Sequence, residues 1–352
     1  MEFRFSDIND AFHEIVAGIH DGSINTFRQD SREGKILRVL EPATITFTNP
    51  RNRVLRNPAR DCNPFFHLYE AFWMLAGRSD LKPLQHFVST FDRFSDDGMN
   101  LRGAYGFRWR HWFNYDQIEF ITDELKENPD SRRCVLQMWD AYQTEDHLDD
   151  DLHAAQWSKD VPCNVCCMFS TRTLRKETWE NGVEETYLDM TVINRSNDLI
   201  WGLLGANVVH FSYLLEYMCG QTGYKLGCQT HFTNNLHIYT DNNSKWKPEE
   251  WLNDAESSNL IPKPIGKMPN LKCLNEYVER YKTITDWLVD DYFATVVQPA
   301  INAFNYYKAG KSKKDPILAR KALKECDKIS CPCWRAACTD WINRRKKCVG
   351  SL

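Results

Sequence analysis

The sequence predicts an α/β (α+β) fold over residues 1–272, followed by a helical extension over residues 273–352. Three observations carry that reading. Segments with apolar residues at helical intervals lie between stretches in which β-branched residues alternate with polar ones, so helices and strands share one unit. The chain has 352 residues, 42% hydrophobic and 13% aromatic, enough to bury a large core. After IPKPIGKMP the strand patterns stop, and three helices rich in Tyr, Trp, Lys and Cys follow, the first two joined by KAGKSKKDP as a linker.

Each element has its own signal. Phe5, Ile8, Phe12, Ile15, Val16 and Ile19 stand at helical spacing and predict an amphipathic first helix. SREGK, with Arg32 among small and flexible residues, reads as an exposed loop, and ILRVLEPATITFTNP as strands broken at Pro42. FHLYEAFWMLAG reads as an apolar helix ended by Gly77, with Glu70 alone among aromatics. In NLRGAYGFRWRHW, Tyr105 and Trp109 flank Gly106, and the arginines read as snorkelling from a core edge. QIEFITDELKENP predicts a helix stopped at Pro129. Arg132 and Arg133 then lead into the strand CVLQMWD, where adjacent side chains face opposite sides. After an acidic loop, DVPCNVCCMFSTR opens a strand at Cys163, and a hairpin through ENGVEE returns as YLDMTVIN. A Gly-rich turn at Gly202 and Gly205, an apolar helix from Ala206 to Gly220 and the strand KLGCQTHF complete this part.

Charge and cysteine content narrow the function classes. With 44 basic against 48 acidic residues the net charge is -4, which argues against a polyanion as main partner, so direct DNA binding is not expected. A small phosphorylated ligand needs only a local basic cluster. The start, MEFRFSDIND, lacks the apolar core of a signal peptide. The run from Leu199 to Leu215 is uncharged but short for a bilayer and holds Asn207 and His210, so it reads as a buried helix. The 13 cysteines have no regular spacing, which suggests reduced thiols in a cytoplasm. Cys326, Cys331, Cys333 and Cys338 lack the usual paired spacing of zinc ligands, and no metal is expected.

The chemistry concentrates between Arg195 and Tyr239, where RSND precedes the glycines and THFTNNLHIY closes the stretch. Gly202, Gly205 and Asn207 could serve backbone geometry alone. Arg195, Ser196 and Asp198 standing together ask for more: a guanidinium fork beside a hydroxyl suits a phosphate, and an Asn amide offers one donor and one acceptor to a heterocycle edge. Cys163, at a strand entrance beside Asn164, is either a small buried hydrophobe or a thiolate nucleophile steadied by an arginine. Glu70 is either exposed at a helix edge or buried as a proton shuttle.

Taken together, SREG, EAFWMLAG, the YGxxW run, NPDSRR, the Pro-Cys at Cys163, RSND with Asn207 beyond its glycines, and HIY at Tyr239 occur in the order of the thymidylate synthase family. The chain resembles that family, which includes the deoxypyrimidine nucleotide hydroxymethylases, over roughly residues 25–272. The resemblance implies a large mixed sheet and a back-to-back homodimer. It implies that Cys163 attacks C6 of the pyrimidine. Arg32, Arg195 and Ser196 would hold the 5′-phosphate, with Arg132 and Arg133 reaching across from the second subunit. Glu70 would organise water and proton transfer and also face the cofactor, Tyr105 would line the site, and His237 and Tyr239 would bond the sugar hydroxyl. Asp198 would contact the pterin of the cosubstrate 5,10-methylenetetrahydrofolate.

Departures from the family shape the expected product. Phe91 and Phe94 stand where synthases carry a tryptophan pair near the folate, Asn164 replaces the usual histidine after the nucleophile, and Gly205-Ala206 with one extra residue replaces the usual Pro-Phe. The short apolar tail of the synthases is replaced by residues 273–352. A less sealed folate site admits water, so the expected reaction is dUMP to 5-hydroxymethyl-dUMP, an activity that by resemblance supplies modified nucleotides for bacteriophage DNA. Asn207 pairs with uracil through its amide. The alternatives are a dCMP hydroxymethylase, a thymidylate synthase making dTMP, or an inactive nucleotide- or RNA-binding homologue.

Overall fold

The computed structural model describes residues 1–142, 150–176, 182–241, 246–253, 260–266, 270–283 and 292–345. Strand β1 (Glu2–Phe5) leads into helix α1 (Ile8–Asp21), which Asp7 caps by accepting from the Asn9 N–H at 2.7 Å. Strands β2 (Thr26–Ser31), β3 (Gly34–Val39) and β4 (Ala43–Phe47) follow, with Arg32 in the tight turn between the first two and the predicted break at Pro42 between the others. Helix α2 (Pro64–Leu75) is buried along its length, capped by Asn63 and closed by Gly77 at φ 72°. After α3 (Lys82–Phe87) and a 3₁₀ turn at Phe91–Phe94, α4 (Tyr105–Phe107) runs on as a π-helix over Arg108–Trp112.

Helix α5 (Gln117–Glu127) leads to β5 (Val135–Gln137). Arg132 and Arg133 lie in the loop ahead of β5, so the expected strand placement is corrected: the peptide turns at Pro129 and regular pairing starts only at Val135. Helix α6 (Asp151–Ala154) precedes the long pair β6 (Asn164–Lys176) and β7 (Val183–Asn194), and the tip of the predicted hairpin between them falls outside the described residues. β8 (Asn197–Asp198), α7 (Val208–Thr222), β9 (Lys225–Thr233) and β10 (Leu236–Tyr239) complete the sheets.

A six-stranded mixed sheet runs in the order β1-β4-β9-β7-β6-β5, with β1/β4 and β7/β9 parallel. A smaller sheet runs β2-β3-β10-β8. The expected Gly-rich turn is corrected to a π-helix over Leu199–Asn207, continuous with α7. Its wider i→i+5 winding takes in the extra residue noted in the sequence without unpairing the backbone. Gly202 is needed there because a Cβ would come within 2.5 Å of Asn197 Oδ1. Leu199–Thr222 is long and apolar enough to cross a membrane by length and composition, and 83% of its apolar window is buried inside this fold.

After α8 (Pro248–Asn253), the described residues beyond 270 form α9 (Leu271–Glu279), a short π-helix at Phe293–Val297, α10 (Gln298–Lys313), α11 (Pro316–Asp327) and α12 (Pro332–Arg344). Most of KAGKSKKDP is the last turns of α10; the chain turns only at Lys314, φ 53°. These helices share one apolar core with α2 and α7, through Phe65 against Trp341 at 5.4 Å and Phe72 against Phe293 at 5.6 Å.

Candidate active site

Cys163 sits at the mouth of β6 and is half-buried. Its carbonyl accepts from the Arg195 N–H at 3.0 Å, which ties the Cys163 loop to the strand-end motif that follows β7. The Arg195 guanidinium donates to Pro162 O at 3.0 Å and Val161 O at 3.1 Å. Arg32 reaches the same loop from the β2–β3 turn, donating to Ser158 O at 3.0 Å and Lys159 O at 3.3 Å. Two arginines far apart in sequence therefore converge on residues 158–162. Burial pushes the Cys163 thiol up, Arg195 and Arg32 pull it down, and Asp160 and Asp198 push it up again. Ser196 is half-buried next to Arg195.

Tyr105 faces Cys163 and the Asn164 backbone, and burial foremost holds its phenol well above the ordinary range, so it stays protonated. Its ring packs on Phe211 at 5.8 Å. His237 and Tyr239 meet edge to face at 5.3 Å on β10. Burial lowers His237, so it is neutral, with Nδ1 3.2 Å from Asn235 O. Burial raises the Tyr239 phenol, and the nearby Asp198, Glu33 and Cys163 raise it further. Cys163, Tyr105, Arg32, Arg195, Asp198 and Tyr239 thus share one electrostatic neighbourhood.

Asn207 closes the π-helix and is 7% exposed; its Nδ2 donates to Asn197 Oδ1 at 3.0 Å. That leaves its second N–H and its carbonyl oxygen free to face a ligand. Asp198 caps the π-helix, accepting from Ile200 N at 3.0 Å and Trp201 N at 3.2 Å, and burial pushes its carboxyl up to about 6. Glu70 is 6% exposed on α2, with His210 Nε2 3.0 Å from its Oε2. Phe91 packs on Phe66 at 5.1 Å and Phe94 at 5.3 Å. Arg132 and Arg133 are both exposed in the loop ahead of β5.

Sequence reasoning missed several groups. Arg60 lies with its guanidinium 4.0 Å from the Trp201 ring centre, donates to Ile200 O at 3.0 Å, and keeps a buried Nη1 without a partner. Arg108, expected to snorkel, is fully buried against Asp151, with Nη1 2.8 Å from Oδ2 and Nη2 3.0 Å from Oδ1. Asp160 accepts from Gly103 N at 2.8 Å, and burial pushes it up to about 6. Its position three residues before Cys163 was the one visible signal. An open groove of about 800 Å³ between α1 and Trp251 is lined by none of the predicted site residues.

Comparison with known proteins identifies the family. The family model described as "Thymidylate synthase" matches residues 12–294. A deoxyuridylate hydroxymethyltransferase of Pseudomonas phage M6 is 37% identical over 347 residues, covering 94% of this chain and 92% of that protein. Proteins of the same name from Bacillus phage SP01 and Delftia phage PhiW-14 are 36% and 31% identical, over 59% and 54% of this chain and 52% and 50% of their own lengths. With the motif order, the mixed sheet and a match to the family across most of its length, this chain belongs to the thymidylate synthase family.

Proposed function

We propose that the protein is a deoxyuridylate hydroxymethylase, converting dUMP and methylenetetrahydrofolate into 5-hydroxymethyl-dUMP as a homodimer. The observation that carries this is the Cys163 thiol between Tyr105 and two converging guanidiniums. The names of the phage relatives support the same product. Arg195 and Arg32 are already held by loop carbonyls, so with Ser196 they meet a phosphate with little ordering cost. Arg132 and Arg133 would complete that grip from the second subunit. Support for the dimer comes from Val135, Met168, Leu174 and Val183, which share one face of the six-stranded sheet by strand register and stand exposed.

The free N–H and carbonyl oxygen of Asn207 match O4 and N3–H of uracil. His237 and Tyr239 would bond the sugar hydroxyl. Asp198, Phe91 and Glu70 would face the folate, joined by the Trp201 indole, 49% exposed, and the unpartnered Nη1 of Arg60, which suit a flat ring. When bound, the folate supplies a one-carbon unit at the oxidation level of formaldehyde. Cys163 as thiolate adds to C6 and places electron density on C5. Once the C5 proton is gone and the carbon is attached as an exocyclic methylene, water adds to it and the thiolate leaves C6. Glu70 and Tyr105 would order that water.

The test is product identity. Incubation of dUMP, and separately dCMP, with methylenetetrahydrofolate should give 5-hydroxymethyl-dUMP by mass and no dihydrofolate absorbance. Dihydrofolate appearing with dTMP, or product from dCMP alone, defeats the proposal. Cys163→Ala should give no product while retaining dUMP binding, and sedimentation should show a dimer.

A further inference from the structure

His210 is a buried group that the reading above leaves without a task. It is 2% exposed on α7, and both ring nitrogens lack a hydrogen-bond partner. Its Nε2 lies 3.0 Å from Glu70 Oε2, but the two are not aligned as a hydrogen bond, and Oε2 is itself buried and unpartnered. Three orphaned polar atoms in a tight interior carry a full desolvation penalty unless a water or ligand completes them. The ordinary reading, a histidine satisfied within the core, does not fit a ring with both nitrogens open.

Placement gives the pair a purpose. His210 follows Asn207 by about one helical turn, so both project from the same face of the helix. Glu70 stands one turn before Met74, whose carbonyl lies against Gly106, the neighbour of Tyr105. Each member of the pair thus stands about one helical turn, along its own helix, from a residue tied to the site: His210 from Asn207, and Glu70 from Met74, which packs on the neighbour of Tyr105. His67, on α2 one turn before Glu70, approaches His210 edge to face at 6.5 Å; burial, His210 and Arg60 hold it well below its ordinary range, so it is neutral. Glu70 is then the one anionic partner recorded at the His210 ring among the described residues.

We propose that Glu70 and His210 form a proton relay for the water that adds to the exocyclic methylene, with His210 as a positioning residue acting through Glu70. This rests on the hydroxymethylase reading. The water oxygen bonds to the exocyclic carbon, and the π pair moves through C5 onto O4. One water proton passes to the Glu70 carboxylate and on to His210. Return of the pair reforms C5=C6 as the C6–S bond breaks, with the electrons leaving on the Cys163 thiolate. Nothing is oxidised or reduced.

The experiment compares wild type with His210→Gln, which keeps a polar side chain but cannot relay a proton. Wild-type turnover of dUMP comes first: no 5-hydroxymethyl product there overturns the function, not the relay. In the variant, the thermal midpoint should stay within about 3 °C and the Kd and KM for dUMP within about twofold, while kcat for product should fall about 100-fold. Tritium release from C5-labelled dUMP should fall far less, so release outruns product. Equal losses of both, or loss of neither, overturn the relay. Should the glutamine variant not fold, ¹⁵N-histidine NMR of wild type decides: the His210 ring signals, identified by their response to Glu70→Gln, should move on adding dUMP, and fixed signals overturn the proposal.

Discussion

Asp198→Asn separates what the fold wants at this position from what the site wants. Asp198 accepts from two N–H groups at the start of the π-helix, and Asn caps helices about as well. What the substitution removes is a carboxylate whose burial raises it from 3.8 to about 6. The folded state binds this proton more tightly than the unfolded chain, so its stabilising effect is complete below about pH 4 and is lost as pH rises through about 6. A rise of that size corresponds to on the order of 3 kcal/mol, and because the side chain is half-buried, solvent relaxation leaves about 1–2 kcal/mol. Urea unfolding followed by circular dichroism from about pH 4 to about pH 8 should show the variant equal to wild type at the acid end and about 1–2 kcal/mol more stable at the alkaline end. Asp160, also raised to about 6, titrates in both proteins and cancels in the difference. A difference that stays constant with pH, or that favours wild type at alkaline pH, refutes the reasoning. The variant should also bind the folate more weakly, since an acid kept at a cost to stability is kept for a ligand.

Two further substitutions probe the frame behind the site. Asp151→Ala leaves the fully buried Arg108 guanidinium without its bidentate partner and should destabilise by about 3–5 kcal/mol in urea; a loss under about 1 kcal/mol would show that the charge finds another partner. Gly106→Ala puts a Cβ 1.9 Å from Met74 O, so α2 and α4 must part. It should cost about 3 kcal/mol or more and most of the activity, since Tyr105 and Glu70 ride on those two helices, and wild-type melting and turnover would contradict the packing.

The parts of the fold that were legible in the sequence are those whose signal is local. Asp7 and Gly22 bracket α1, Asn63 and Gly77 bracket α2, and their apolar spacing does the rest. β2 was missed because TFRQDS is polar and exposed on most of its length, leaving no alternation to read. The π-helix was missed for a different reason: Gly202 and Gly205 are there for close approach to Asn197 Oδ1 and Ile200 O, a demand that sequence spacing does not express. KAGKSKKDP reads as a linker by composition, yet lysines are good helix formers, and Gly310 fits against Asp315 and Ala319 where α10 meets α11.

The candidate site divides along the same line. Cys163, Arg32 and Arg195 could be singled out by residue type, because nucleophile and phosphate chemistry would call for those types, whereas the contacts of Arg60, Asp160 and His210 are made only by folding. The C-terminal helices extend that second class. Tyr69, next to Glu70 on α2, donates to Val278 O at 2.8 Å, and the Tyr213 hydroxyl, one turn beyond His210 on α7, meets the Tyr292 hydroxyl at 2.8 Å. Arg53 lies 3.9 Å from the Tyr213 ring centre and pairs with Glu216 on the same helix. Residues after 272 thus grip α2 and α7 within one turn of Glu70 and His210. They pack on the two helices that carry the pair, so a segment with no predicted site residue of its own buttresses the backbone that bears Glu70 and His210.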